Sequence, residues 1–239
     1  MNKNQGQPTA TQIKAPGLVR RAVAMGALSI AGLVVLAGCS LAVPDAQLTA
    51  TPAPTGTESV SAGSAAPESG LGAGEQEDLD QRLIRAAKDN DVELVRELVA
   101  AGGNVNAKDS MEDSAFLYAG AEGFNEILEL TLENGADVKS LNRYGGTALI
   151  PASEHGHIQT VKILIDAGVP LDHVNDPGWT ALQEAVLLND GGPNQQEVAR
   201  LLLEAGADPQ ITDPQGRTAL ENARRLGFEE LAEVIESHG

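Results

Sequence analysis

Between residues 79 and 239 the apolar positions gather into short clusters that return at a fixed distance. The most regular are Leu98-Val99-Ala100-Ala101-Gly102-Gly103-Asn104-Val105, Thr131-Leu132-Glu133-Asn134-Gly135-Ala136-Asp137-Val138, Ile163-Leu164-Ile165-Asp166-Ala167-Gly168-Val169 and Leu201-Leu202-Leu203-Glu204-Ala205-Gly206-Ala207-Asp208. Gly102, Gly135 and Gly168 are 33 residues apart, and Gly206 follows 38 later. Ser114-Ala115-Phe116, Thr147-Ala148-Leu149, Thr180-Ala181-Leu182 and Thr218-Ala219-Leu220 keep the same 33, 33 and 38 spacing. Such a period marks a stacked array, because one unit of this size cannot bury its apolar face alone. Each unit is expected to hold a turn, a short first helix, a Gly or its substitute, and a leucine-rich second helix. Thr147, Thr180 and Thr218 are placed to cap first helices, and the recurring glycines to end second helices at positive φ. Ala86, Ala119, Ala152, Ala185 and Ala223 fall once per unit, where neighbouring helices would press close. The extra five residues near Asn189-Asp190-Gly191-Gly192-Pro193 separate the two helices of one unit. They are expected to project as a mobile loop away from the turn tips.

In their order these landmarks resemble the ankyrin repeat, over residues 79–239, with units 79–109, 110–142, 143–175, 176–213 and 214–239. The resemblance implies an all-α solenoid of about five helix-turn-helix units joined by β-turn and hairpin loops. It also implies protein binding through turn tips and first helices. The usual Thr-Pro-Leu-His is altered: Ala replaces Pro, and Leu117, Ile150, Gln183 or Glu221 replaces His. Pro151 falls in a first helical turn, where a missing N–H is tolerated. Glu112 stands where the other turns have Gly145, Gly178 and Gly216, so a distorted second-unit turn is expected.

The amino terminus reads as an address. A polar stretch ending in Arg20-Arg21 precedes an apolar run, Ala22 to Ala37, too short for a comfortable membrane span. Leu36-Ala37-Gly38-Cys39 resembles the lipobox of bacterial lipoproteins, and Cys39 is the only cysteine. The resemblance implies a signal peptide over 1–38, an acylated Cys39 and a membrane-anchored protein in the periplasm or on the outer face of the cell membrane. Residues 39–78 read as a tether of Ala, Ser, Thr, Gly and Pro that cannot form a core.

Charge narrows the partners. There are 34 acidic against 16 basic side chains, a formal charge of -18. Residues 1–38 contain four basic groups and no acid, so the remainder is more negative still. Such a surface repels nucleic-acid phosphates and favours a basic protein partner. One cysteine excludes a thiolate metal cluster, and no Gly-rich phosphate loop or nucleophile elbow is present, so neither cofactor nor metal is expected. His155 and His157 flank a glycine at a helix junction and read as structural rather than as metal ligands.

Aromatic residues are scarce, and those on an otherwise aromatic-poor surface are the natural anchors for a partner. Tyr144 and Trp179 fall on consecutive turn tips, and Tyr118 at an outward position of a first helix. Around them lie Met111, Arg143, Glu122, Glu154, His155, Glu184, Leu187 and Leu188. The expectation is a non-catalytic, monomeric, membrane-tethered interaction module. An inhibitor or immunity-type protein that blocks a secreted toxin or enzyme is the alternative, and a hydrolase built on His155 and Glu154 a third.

Overall fold

A computed structural model describes residues 70–238, which form ten α-helices and no strand. The leader and Cys39 lie outside the described residues. The helices are α1 (Ala73–Lys88), α2 (Val92–Ala100), α3 (Ala115–Glu122), α4 (Asn125–Glu133), α5 (Leu149–Glu154), α6 (Ile158–Asp166), α7 (Ala181–Leu187), α8 (Pro193–Glu204), α9 (Ala219–Leu226) and α10 (Glu229–His238). Consecutive helices pair as hairpins. Odd-numbered first helices then stack on one another in one row and even-numbered second helices in a second. The first helix starts before Leu79, so the end of the expected tether is the first two turns of α1.

The alanine column sets how closely the first helices approach. Ala86, Ala119, Ala152, Ala185 and Ala223 are all buried, and Leu83, Phe116, Leu149 and Leu182 fill the space beside them. Val95, Leu98, Leu128, Leu164 and Leu202 from the second helices close the same continuous core. Thr131 takes a leucine position in α4; it is fully buried, and its hydroxyl donates to Leu128 O at 2.8 Å, so no polar atom is stranded.

Two of the three expected threonine caps form, and Ser114 caps α3 in the same way. Ser114, Thr180 and Thr218 accept the N–H three residues on, at 3.2 Å in each case. Thr147 does not cap, and its hydroxyl is buried without a partner. The reason is Pro151. It has no N–H to give Thr147 O, so the turn tightens and Ile150 N–H bonds that carbonyl at 3.2 Å instead of the hydroxyl.

Glu112 does not distort its turn. The Glu112 N–H donates to Asp109 O at 3.0 Å, as Gly145 does to Asn142 O and Gly216 to Asp213 O. Glu112 itself takes the left-handed conformation at φ 60, and the strain is local. That conformation costs a non-glycine residue about 1–2 kcal/mol.

The insertion does not project. Asn189 donates from Nδ2 to Glu184 O at 3.1 Å, and Gln195 Nε2 bridges Asn189 Oδ1 at 3.1 Å and Glu154 O at 3.5 Å. Gly191, at φ 70, packs so closely against Phe228 that it leaves no room for a side chain. The five residues therefore brace the fourth unit against both neighbours.

Two outcomes follow from this backbone. Glu112→Gly will stabilise the fold by about 1 kcal/mol, read as a higher urea midpoint at unchanged slope. Gly191→Ala will cost about 2–4 kcal/mol, because a methyl there would meet Phe228 Cγ at 2.5 Å in a backbone region alanine avoids.

Candidate functional site

The turn tips are built by four side chains that repeat with the helices: Asp109, Asn142, Asn175 and Asp213. The N–H of each bonds the carbonyl four residues on, at 3.0, 2.8, 3.0 and 2.8 Å. The side-chain Oδ1 of each accepts the N–H of that same residue: Asp113 at 3.1 Å, Gly146 at 3.0 Å, Trp179 at 2.9 Å and Arg217 at 2.9 Å. It also takes the N–H two residues on, from Met111, Tyr144 and Gln215; the third tip has Pro177 there. An Asx side chain used in this way fixes a turn without a neighbour's help. The signal was present in the sequence as Asp or Asn at the repeat spacing.

Neighbouring tips are then tied together. Asp176 N–H donates to Tyr144 O at 2.9 Å, His173 Nε2 lies 2.6 Å from Gly145 O, and Lys108 Nζ donates to Leu141 O at 2.6 Å. On this frame the residues two beyond each Asx, Met111, Tyr144 and Pro177, are all exposed. Met111 is 50% and Tyr144 55% exposed, unusually open for large apolar groups.

Trp179 is not the counterpart of Tyr144. It stands four residues beyond its Asx, where it closes the turn; its ring is half-buried, and Nε1 is buried without a partner. Tyr118 is half-buried, with Lys88 Nζ 5.2 Å from its ring centroid and Phe124 at 6.3 Å. Arg143 lies 4.8 Å over Tyr144 and 3.3 Å from Asp113, which also holds Lys88 at 2.8 Å. Lys88 reaches Asp109 at 2.7 Å, so one ionic cluster links three units. Glu122 and His155 are exposed, and Nδ1 of His155 lies 2.8 Å from Ala121 O. Glu154 and Leu187 are half-buried, and Leu188 is exposed.

Glu184 is not a surface acid. It is only 6% exposed, and its carboxylate accepts from Asn175 Nδ2 at 2.7 Å. The fifth unit makes the same tip-to-helix bond with the roles exchanged: Asn222 Nδ2 donates to Asp213 Oδ2 at 2.9 Å. Exchanging the acid between tip and helix has a large effect. Burial pushes Glu184 up to about 7, reinforced by Glu154 and opposed by the Asn175 bond and His155. Asp213 is also desolvated, but bonds from Asn222, the Arg217 N–H and guanidinium, and the Gln215 N–H overcome this and bring it down to about 2. Gln183, at the position of the family histidine, donates from Nε2 to Ile211 O and Arg217 O, both at 3.1 Å. It thereby fastens α7 to the next tip.

Paired helices in two rows, with turns presented along one edge, define a helical repeat solenoid of the protein-interaction class. The family model described as ankyrin repeats (3 copies) matches residues 83–175 and 116–213. The chain belongs to the ankyrin repeat family. It is 40% identical over 146 residues to the ankyrin repeat protein YahD of Escherichia coli (strain K12), spanning 61% of this chain and 73% of that protein. It is 30% identical over 168 residues to the ankyrin repeat protein FPV031 of fowlpox virus (strain NVSL), across 67% of this chain and 48% of that one. Among solved structures, an ankyrin repeat domain from Acinetobacter baumannii AYE is 50% identical with a TM-score of 0.64, covering 66% of this chain and 80% of that domain.

Protonated Glu184 is favoured by the fold, whereas in the unfolded chain it ionises near 4.5. Its contribution to stability is therefore lost as pH rises from about 4.5 through about 7. Glu184→Gln keeps the acceptor for Asn175 and removes the titration. The variant will gain more over the wild type at pH 8 than at pH 5 in paired urea melts.

Proposed function

We propose that this protein is a non-catalytic binding module, held to a membrane outside the cytoplasm by a lipid on Cys39, that engages a basic protein through its turn tips and adjoining first helices. The observation that carries the reading is the exposure of Met111 and Tyr144 on tips already rigid before a partner arrives. A turn whose backbone is fixed in advance loses little entropy on docking. Acid outweighs base in the chain as a whole, which speeds encounter with a basic surface. The lipobox-like Leu36-Ala37-Gly38-Cys39 supports the anchor, and tethering raises the effective concentration near other membrane-associated proteins.

Two measurements test the parts separately. Cys39→Ser will shift the protein from the membrane fraction to the soluble one; retention in the membrane would sink the anchor. Crosslinking in cells and mass spectrometry will recover a basic protein with the wild type that a Met111→Ala/Tyr144→Ala variant loses. Equal recovery by both would remove the tips from the interface.

A further inference from the structure

The exposed row on the tips has a spacing as well as a chemistry. Met111, Tyr144 and Pro177 occupy one register position in three consecutive turns, so they recur once per stacked unit. Val174, 45% exposed, lies one residue before the Asx of the third of these tips and widens the apolar strip. The fourth tip has Gln215 at that position, which ends the row. Helices packed in layers lie about 8–10 Å apart, and side chains at one register position on successive units step by that distance.

A ligand that follows the row must present an apolar group at the same interval on one face. A β-strand alternates faces every residue, so groups three residues apart point opposite ways. An α-helix returns one face after one turn at about 5.4 Å or after seven residues at about 10.5 Å, on either side of the step. A polyproline II segment has three residues per turn at about 3.1 Å each, which returns the same face every ~9.3 Å. It also carries no internal hydrogen bonds and little entropy to lose, and it characteristically docks on exposed aromatic rings.

Charge selects among such segments. Glu112 and Asp176, both exposed, stand next to Met111 and Pro177. Arg143 is already met by Asp113 at 3.3 Å and laid over the Tyr144 ring, and exposed Lys108 reaches Leu141 O between the first two tips, so one cation stands against two acids and the balance stays negative. We propose that the Met111–Tyr144–Pro177 row is a docking site for a proline-rich basic segment in the polyproline II conformation, with an apolar residue at every third position and Lys or Arg between. This rests on the protein-binding reading above and names the chemistry of the partner.

The test uses the full chain and fluorescein-labelled twelve-residue peptides in anisotropy titrations. The probe is (Leu-Pro-Lys)4; the controls are (Leu-Pro-Glu)4 and a peptide of the probe's composition whose leucines do not fall every third residue. The probe is expected to bind at least tenfold tighter than either control. Met111→Ala and Tyr144→Ala are each expected to weaken it at least fivefold, with circular dichroism unchanged and binding falling as salt rises. Equal affinity for the probe and the reordered peptide, or variants that bind it unchanged, would overturn the proposal. So would a dimer in sedimentation that Tyr144→Ala dissolves, since a second copy would then own the row. If the peptides show no preference while crosslinking still captures a tip-dependent partner, this inference fails and the protein-binding reading stands. If crosslinking also captures nothing tip-dependent, both fail.

Discussion

The close approach of first helices over the alanine column governs the geometry of the turn-tip edge. Each of Ala86, Ala119, Ala152, Ala185 and Ala223 is buried against a neighbour, and a larger residue at any of them would hold two units apart. Because this packing sets the separation of the units, the tips inherit their spacing from it, and the bonds to each next tip close at that spacing. Asp176 N–H to Tyr144 O is one such bond, and the bond from Gln183 to the next tip is another. Surface geometry in this molecule is a consequence of core packing one layer down.

The array, its units and its helix ends were legible because each rests on residues repeating at a fixed distance. Gly102, Gly135, Gly168 and Gly206 all take positive φ where the second helices end. What misled were features whose outcome depends on a neighbour. Thr147 has the cap residue, but a proline four positions on alters the turn that would use it. Asn189 to Pro193 has the composition of a free loop, yet Gln195 just beyond it and Phe228, distant in sequence, hold it down.

The turn-tip edge is less legible than the fold for a related reason. Tyr144 and Trp179 both belong to tips, but only alignment on the Asx residue reveals that one is two and the other four positions past it. The first points outward and the second finishes the turn. Glu184 has the composition of a surface charge beside the aromatic residues; its side chain instead completes a buried bond to Asn175. The same bond in the fifth unit, with acid and amide exchanged, shows that the contact, rather than the residue at either end, is what the unit requires.

The array is braced in two unlike ways along its length. Toward the amino end, Lys88, Asp109, Asp113 and Arg143 tie three units by charge. Toward the carboxyl end, the insertion wedges against Phe228 and Gln195, a steric brace with neutral hydrogen bonds. Ions screen the first kind of brace and leave the second untouched. The two ends of the array therefore answer differently to their medium: added salt weakens the ties among the leading units, most at the exposed Arg143, and leaves the wedge at the trailing end as it is.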